Sequence, residues 1–498
     1  MSNTAEPRFD FDLIVIGSGP AGQRAALQGS KAGKRVAIVE EYNLVGGGCV
    51  HFGTLPSKSF RESVYRFSLG SRGTLGQENE HHDKPERRHA LPDMSRLLRR
   101  KERVVSGESQ VIYDQFKRNQ IEVIPGRARF VGMNAIEVGG RTITGSFIFI
   151  GVGARPVAPE NIPVDGRTIH DSNTILTLRK TPKSMVVLGA GIIGCEFASM
   201  FSTAGTRVHL IDKRHEILAS VDREVVNHLV ERFTAQDMQL NLACEAVKVE
   251  TVLGRGRLRI GRPIGARVHL SNGKRISAEV VLVAQGRAGN TEGLGLDVVG
   301  IKTDERGLIK VNDHFQTSMP HIYAVGDVVG APALASTSME QGRIACCHAF
   351  GIPGNSGGAK LEQERTKEQS MPTLFPYGIY TIPEISMLGK TEEELIQRKA
   401  DFVVGRARYR ELARGQIVGD QWGILKLLVD RKTLKLLGVH IIGDNAADLI
   451  HIGQAVMAFD GDVNYFISSV FNYPTLAEAY KTAAFHAVNQ INGTTKTR

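Results

Sequence analysis

Two glycine-rich turns and two acids carry the chemistry that is easiest to interpret in this sequence. The turns read GSGPAG at residues 17–22 and GAGIIG at residues 189–194. Glu40 and Asp212 each follow the first glycine of their turn by 23 positions. In such a turn the first glycine allows the tight bend, the second lets the backbone approach a pyrophosphate, and the third lets helix and strand pack closely. A carboxylate at this distance accepts hydrogen bonds from ribose hydroxyls.

Each turn lies between a predicted strand and a predicted helix. Residues 11–16 and 185–188 are short apolar runs typical of buried parallel strands, and a second strand ends at each acid. One such turn is a weak signal, but two copies with equal spacing predict two dinucleotide-binding units. The residues assigned to them are Gly17, Gly19, Gly22 and Glu40 for the first, and Gly189, Gly191, Gly194 and Asp212 for the second.

A further pair of segments predicts how the two units are arranged along the chain. Residues 147–150 and 280–284 are apolar runs that lead into turns containing glycine and arginine. This pattern predicts that the second unit is inserted into the first. The expected fold is α/β, with two nested Rossmann-type domains and an α+β C-terminal domain. The predicted boundaries are 1–160 with 286–352 for the first domain, 161–285 for the second, 353–371 for a linker and 372–498 for the third.

Composition is that of an ordinary globular protein of several domains. The net charge of +10 is spread along 498 residues, and the densest basic stretch, 96–103, also contains leucines and predicts an amphipathic helix. We therefore expect no nucleic-acid partner.

The sequence shows no secretory signal, no membrane span and no metal-ligand spacing. Five cysteines, an odd number, argue against a disulfide scaffold, so we expect a cytoplasmic protein.

Longer motifs resemble the flavoprotein disulfide reductases, the family that includes lipoamide dehydrogenase and glutathione reductase. Besides the two turns, they are the loop GGGCVHFGTLPSK, the segment TSMPHIYAVGD and the C-terminal FNYPTLAEAY. These motifs are distributed over nearly the whole chain. The resemblance implies FAD at the first turn, NAD or NADP at the second, and a homodimer formed by the C-terminal domain.

The resemblance also assigns roles to single residues. Asp327 would bind the ribityl chain of FAD, and Lys58 would pair with Glu196 beside the flavin. A cation there favours negative charge on the reduced ring. Outside these motifs, Lys58 would be interpreted as an exposed helical lysine and Glu196 as a glutamate at the edge of the core. Gly48 and Cys49 would line the FAD site, and Gly286 the NAD(P) site.

Two departures from the family pattern affect the disulfide half of the chemistry. The family's redox loop has two cysteines separated by four residues, but here Cys49 is followed at that spacing by Thr54, which cannot form a disulfide. The family also has a His-Pro motif followed by a glutamate. Here Tyr473 stands in place of the histidine, although Glu478 is retained. Since tyrosine has an ordinary pKa of about 10, it is a poor proton shuttle near neutrality.

The dinucleotide half of the chemistry remains complete. Hydride exchange between two nicotinamides through FAD needs no thiol, so we expect transfer from NADPH to NAD⁺, as in the family members that exchange hydride between dinucleotides. The second site must then accept both. Asp212 suits the free ribose of NAD. Lys213 and Arg214 are either partners of the 2′-phosphate of NADP or two solvated loop charges.

Several alternatives stay open at this point. The chain could be an atypical dihydrolipoyl-type disulfide reductase, which Thr54 opposes, or a diaphorase-like enzyme that reduces a quinone. A non-enzymatic, FAD-stabilised basic binding protein is supported only by net charge. Cys49 could be a relic packed under the flavin or a thiolate that modulates it. In a homodimer, Tyr473 and Glu478 would reach the partner's flavin.

Overall fold

The computed structural model describes residues 9–42, 44–73, 91–254, 261–352 and 374–493. The predicted linker 353–371 lies outside the described residues. The chain divides into two compact units, which we call unit 1 and unit 2. Unit 1 comprises the described parts of Met1–Ser59, Leu98–Val157 and Gly286–Pro372, and unit 2 those of Phe60–Leu97, Ala158–Gln285 and Thr373–Arg498. The three-domain boundaries given above stay a prediction.

Unit 1 is built on a parallel sheet. The strand Phe11–Ile16 pairs in parallel with Val36–Glu40 on one side and with Arg141–Ile150 on the other. Glu122–Pro125 and Ile322–Ala324 extend the sheet outward, again in parallel. Apolar side chains pack on both faces of this sheet in two core clusters, as expected for a parallel sheet that is covered on both sides.

The other elements of unit 1 flank this sheet or extend it. Two antiparallel strands continue from Arg141–Ile150, and a separate pair forms a small ribbon. The further strands are Ala128–Gly132, Ala135–Val138, Ala154–Pro156 and Arg287–Gly289; the helices are Pro20–Lys31, Gly47–His51 and Ala335–Ala349; and the 3₁₀ turns are Leu296–Val299 and Asp327–Val329.

Two long helices, Thr54–Gly73 and Met94–Arg118, contain residues of both units. The second confirms the helix predicted over residues 96–103. Leu97 is buried and Arg99 is exposed, so the basic stretch is one face of an amphipathic helix.

Unit 2 contains the second parallel sheet. Its five strands lie in the order Gln239–Asn241, Arg207–Ile211, Ser184–Leu188, Val280–Val283 and Ile169–His170, all parallel. The helix Ile192–Thr203 connects the two strands that carry the second glycine turn and Asp212. The remaining elements of this part are the helix Arg223–Ala235, the 3₁₀ turn Ile175–Thr177 and the antiparallel strands Ala246–Leu253, Pro263–Leu270 and Arg275–Ala278.

The C-terminal part of unit 2 is an antiparallel sheet with helices. Its strands lie in the order Tyr377–Ile379, Glu384–Gly389, Leu436–Gly443, Ile424–Asp430 and Phe402–Arg408. The helices are Glu392–Gln397, Ala413–Val418, Ala446–Ala458, Asn464–Ser468 and Glu478–Ile491, with a 3₁₀ turn at Tyr409–Glu411. Two parallel Rossmann-type sheets followed by an α+β segment confirm the predicted fold class.

Candidate functional site

The first glycine turn has the geometry that its sequence predicts. Gly17 has a φ of +101°, and a Cβ there would lie 2.4 Å from the carbonyl oxygen of Gly151. A Cβ on Gly22 would lie 2.0 Å from the oxygen of Gly17, whereas one on Gly19 would meet nothing within 4 Å. Gly17 and Gly22 are therefore required by the turn itself. Gly19, the N-cap of the helix Pro20–Lys31, leaves open space at the helix N-terminus, where phosphate groups bind.

Glu40 lies beside this turn and is held by it. The amide and the hydroxyl of Ser18 both donate to Oε2 of Glu40, and the amide of Tyr42 donates to Oε1 at 3.0 Å. The Ser18 hydroxyl also accepts from the amide of Gly46 at 2.8 Å. Ser18 thus fixes both the acid and the start of the GGGC loop, a role that its place in the GSGPAG motif does not predict.

The second glycine turn repeats this geometry. Gly189 has a φ of +105°, and a Cβ there would lie 2.4 Å from the oxygen of Ala284. A Cβ on Gly194 would lie 1.8 Å from the oxygen of Gly189. A Cβ on Gly191 would have one neighbour within 4 Å, Nη2 of Arg214 at 4.0 Å. Both turns therefore leave the same space open, in front of the middle glycine and the following helix.

Asp212 lies at the end of its strand, as predicted, but it already has a charged partner. The guanidinium of Arg214 donates to both oxygens, from Nε to Oδ1 at 2.9 Å and from Nη2 to Oδ2 at 2.8 Å. Burial raises the pKa of Asp212, but the hydrogen bonds from Arg214 and from the amide of Ala190 outweigh it and lower the pKa. The carboxylate therefore stays ionised near neutrality. Lys213 is exposed beside this pair.

The redox loop brings Cys49 and Thr54 together. Cys49 is partly buried in the short helix Gly47–His51, and Thr54 begins the next helix. Burial raises the pKa of the Cys49 thiol, and a hydrogen bond with Thr54 and the charge of Lys58 offset that effect only in part. Thr54 thus occupies the place beside Cys49 where a disulfide partner would lie. Gly48 is exposed next to Cys49, and a Cβ on it would meet nothing within 4 Å.

Asp327 lies in unit 1 with this loop. It begins a 3₁₀ turn that Val325 and Gly326 separate from the strand Ile322–Ala324, and Nη2 of Arg287 is 3.9 Å from its Oδ2. Burial raises the pKa of Asp327, and the charge of Arg287 opposes this. Its negative charge also acts on Cys49. Asp327 and Lys58 thus lie close enough to Cys49 for their charges to act on its thiol, and a Cβ on Gly47 of the same loop would lie 2.7 Å from Cα of Gly19 in the first glycine turn.

Other predicted residues belong to different parts of the chain. Glu196 is buried in the helix Ile192–Thr203 of unit 2, where its Oε1 accepts from the amide of Tyr380 at 2.8 Å. Gly286 lies in unit 1, where its oxygen accepts from the amide of Val157. The pairing of Lys58 with Glu196 and the role of Gly286 at the NAD(P) site stay predictions.

Of the C-terminal candidates, Tyr473 lies at the surface of the single chain and Glu478 is half-buried. Tyr473 is 75% exposed, and Glu478 is the first residue of the helix Glu478–Ile491.

In the described ranges, no cluster of three or more His, Cys, Asp or Glu side chains could hold a metal ion. None of the described helices is both long enough and apolar enough to cross a membrane.

The duplicated turn on two parallel sheets defines the class of protein, an α/β chain with two Rossmann-type dinucleotide folds. The chain belongs to the pyridine nucleotide-disulphide oxidoreductase family, whose model matches residues 11–342, and the dimerisation domain of that family matches residues 375–484. The predicted family is confirmed, and the chain is an oxidoreductase of an FAD-binding family.

Relatives are similar over nearly their full length. The soluble pyridine nucleotide transhydrogenase of Mycobacterium tuberculosis is 43% identical, over 97% of this chain and 98% of its own. That of Yersinia enterocolitica is 40% identical, over 98% of this chain and 100% of its own. Among solved structures, an HOCl-induced flavoprotein disulfide reductase from Escherichia coli superposes with a TM-score of 0.81 at 26% identity, covering 95% of this chain and 99% of its own.

Proposed function

We propose that this chain binds FAD at the first glycine turn and transfers hydride from NADPH to NAD⁺, each bound in turn at the second. The observation that carries the proposal is Thr54, which lies beside Cys49 in the place of a second cysteine. The names of the full-length relatives support the same reaction. The net reaction, NADPH + NAD⁺ = NADP⁺ + NADH, consumes no proton and needs no thiol.

The residues of the first turn fit FAD. Open space at Gly19 and at Gly48 allows a pyrophosphate to approach the backbone and the N-terminus of the helix Pro20–Lys31. Glu40, fixed by Ser18, would accept from ribose hydroxyls. Bound FAD supplies a ring that accepts hydride from one nicotinamide and returns it to another. Lys58 would stabilise negative charge on that ring, and Asp327 would bind the ribityl chain.

Disulfide reductases pass electrons from the flavin to their substrate through a pair of thiols. Two features of this chain oppose that route. Cys49 has a hydroxyl neighbour in place of a thiol, and its raised pKa keeps it protonated near neutrality. These two facts favour the interpretation of Cys49 as a relic packed in the loop over that of a modulating thiolate. Tyr473 stands at the position of the family's histidine, so the side chain that serves the family as proton donor to the thiol is missing there.

Replacing Cys49 with serine should therefore leave dinucleotide exchange within about threefold of the wild-type rate, because a group outside the transition state changes the barrier by less than about 1 kcal/mol. The measurement is steady-state reduction of a NAD⁺ analogue by NADPH, with FAD content checked by absorbance. A loss of about a hundredfold with FAD retained would make the thiol essential and contradict the proposal.

The proposed reaction is tested by comparing acceptors. The purified FAD protein is given NADPH with a NAD⁺ analogue, with lipoamide or with glutathione disulfide. We expect rapid reduction of the analogue, with parallel double-reciprocal plots because the dinucleotides alternate at one site. Rapid disulfide reduction without dinucleotide exchange would overturn the proposal. Rapid reduction of a quinone without exchange would favour a diaphorase-like enzyme instead.

We also propose that the protein is a homodimer, in which Tyr473 and Glu478 reach the partner's flavin. The C-terminal segment matches a dimerisation domain. It also exposes large apolar side chains, including Val470 at 95% and Phe459 at 81%. These side chains are available to pack against a second copy of the chain in the proposed dimer. Since all five cysteines are free, we infer a reducing compartment, the cytoplasm.

Replacing Val470 with aspartate should weaken the dimer at least about tenfold, because the new carboxylate would lose its hydration in the interface. Light scattering coupled to size-exclusion chromatography over a dilution series gives the dissociation constant. The matched control is Val298→Asp, the same change at an exposed valine of unit 1. Equal dimer affinity in both variants would place the interface elsewhere.

A further inference from the structure

The carboxylate of Asp212 is fully occupied in this structure. Oδ1 accepts from the amide of Arg214 at 2.8 Å and from its Nε at 2.9 Å. Oδ2 accepts from the amide of Ala190 at 2.6 Å and from Nη2 of Arg214 at 2.8 Å. An ionised carboxylate has about four acceptor positions, two on each oxygen. All of them are in use, and the Arg214 side chain fills two.

This arrangement puts Arg214 in competition with the ribose of NAD. The hydroxyls of an unphosphorylated ribose would bind Asp212, but a free acceptor position appears only when the guanidinium moves away. The side chain of Arg214 is 46% exposed, so it can leave without unpacking a core. The Asp212 side chain is only 6% exposed and stays in place, so opening the pair requires only that the guanidinium turn into the solvent.

We call the pair closed while Arg214 is bound to Asp212. The closed pair is suited to a different ligand. A guanidinium has five N–H donors, of which the contacts with Asp212 use two. The remaining donors belong to a half-exposed group whose Nη2 lies by Gly191, in the open part of the second turn. A phosphate can bind them while the pair stays closed. Because Arg214 neutralises Asp212, the carboxylate then repels that phosphate far less.

The first glycine turn is built differently at the corresponding positions. There Ser18 takes the place of Ala190, and Glu40 is held by hydrogen bonds from the Ser18 hydroxyl and from the backbone amides of Ser18 and Tyr42. The guanidinium partner is thus a feature of the second turn, the one to which the proposed function assigns two alternating dinucleotides.

We propose that the Asp212–Arg214 pair is a selector that lets one site accept both dinucleotides: closed, it binds the 2′-phosphorylated ribose, and opened, it frees Asp212 for the unphosphorylated ribose. This inference rests on the proposed function, since it requires that both dinucleotides use the second turn. It differs from simple phosphate pairing in one respect: Arg214 opposes the binding of the unphosphorylated ligand.

The test measures binding alone, with fragments that cannot react. Isothermal titration of the FAD-loaded protein uses ADP-ribose and its 2′-phosphorylated form, neither of which carries a nicotinamide. The variants are Arg214→Ala and, as a matched control, Arg207→Ala, which removes the same charge from the exposed start of the strand that ends beside Asp212. Retained FAD and an unchanged circular dichroism spectrum establish that each variant folds.

In Arg214→Ala we expect the 2′-phosphorylated fragment to bind about ten- to a hundredfold more weakly, because charge-assisted hydrogen bonds are lost. The same variant should bind ADP-ribose about two- to fivefold more tightly, since the guanidinium that competes for the Asp212 oxygens is removed. Arg207→Ala should change neither by more than about twofold.

Asp212→Asn should shift affinity in the opposite direction. It frees Arg214 for the phosphate and removes an acceptor for the ribose hydroxyls, so the preference for the 2′-phosphorylated fragment should rise.

An ADP-ribose affinity that is unchanged or weaker in Arg214→Ala would overturn the selector. A wild-type protein that binds only one of the two fragments would instead contradict the proposed function, whatever the variants do.

Discussion

Replacing Lys426 with methionine should lower the free energy of unfolding by about 3 to 5 kcal/mol, the cost of removing one partner from a buried ion pair. Lys426 is fully buried in the strand Ile424–Asp430. Its Nζ lies 2.8 Å from Oδ1 of Asp222, 3.1 Å from Glu224 and 2.6 Å from Glu392. Asp222 is itself fully buried, so without Lys426 its charge would lose its nearest cation.

The measurement is equilibrium unfolding in denaturant, followed by circular dichroism. The matched control is Lys435→Met, which breaks an ion pair with Asp460 that is largely exposed. This control should cost less than about 1 kcal/mol. Equal losses in the two variants would show that burial does not decide the strength of the Lys426 cluster.

The same cluster predicts a dependence on pH. Burial raises the pKa of Asp222 and of Glu224, but their basic neighbours, including Lys426, outweigh it and lower both pKa values. A carboxylate with a lowered folded pKa adds stability above its unfolded pKa and loses it as the pH falls through the folded value. The difference between wild type and Lys426→Met should therefore be widest near neutrality and shrink below about pH 4. A difference that stays constant into acid would contradict this origin.

Replacing Gly194 with alanine should abolish dinucleotide binding at the second turn. The new Cβ would lie 1.8 Å from the oxygen of Gly189, which is backbone and cannot move without opening the turn. Overpacking typically costs about 1 to 3 kcal/mol, and because this contact is with backbone we expect the upper end of that range, an affinity loss of about a hundredfold. The measurement is titration with NADPH and with NADH, and both should be affected.

Two further glycine variants separate the shape of the turn from its contact with ligand. Gly191→Ala should fold normally and bind dinucleotides about tenfold more weakly, because its methyl group meets only Arg214 but fills the path of the pyrophosphate. Gly107→Ala, at an exposed helical site with nothing within 4 Å, should stabilise the protein by about 0.5 to 1 kcal/mol and leave binding unchanged. Wild-type dinucleotide binding by Gly194→Ala would contradict the assignment of this turn.

The backbone of the two turns could be predicted from the sequence because it follows from local residue type. Gly17 and Gly189 adopt left-handed φ angles, and Gly22 and Gly194 lie where no side chain fits. These requirements leave a fixed spacing in the sequence. The parallel strands around the turns could be predicted from short apolar runs. The fold class could therefore be predicted as well.

Side-chain partners could not be predicted in the same way. From the sequence, Arg214 is either a phosphate partner or a solvated charge, and the structure shows it bound to Asp212. Lys426 was missed, although a lysine within the apolar run ILKLLVD is a signal of a buried ion pair. Its partners Asp222 and Glu392 are far away in the sequence, and only the tertiary fold brings them together.

The central claim is that reducing equivalents enter from NADPH and leave to NAD⁺ without a disulfide. It is tested most directly by following the flavin absorbance of the anaerobic FAD protein. Added NADPH should bleach that absorbance, and NAD⁺ added after removal of NADP⁺ should restore it, in the wild type and in Cys49→Ser alike. Failure of NAD⁺ to restore the absorbance, with rapid recovery on adding lipoamide or glutathione disulfide, would contradict the claim.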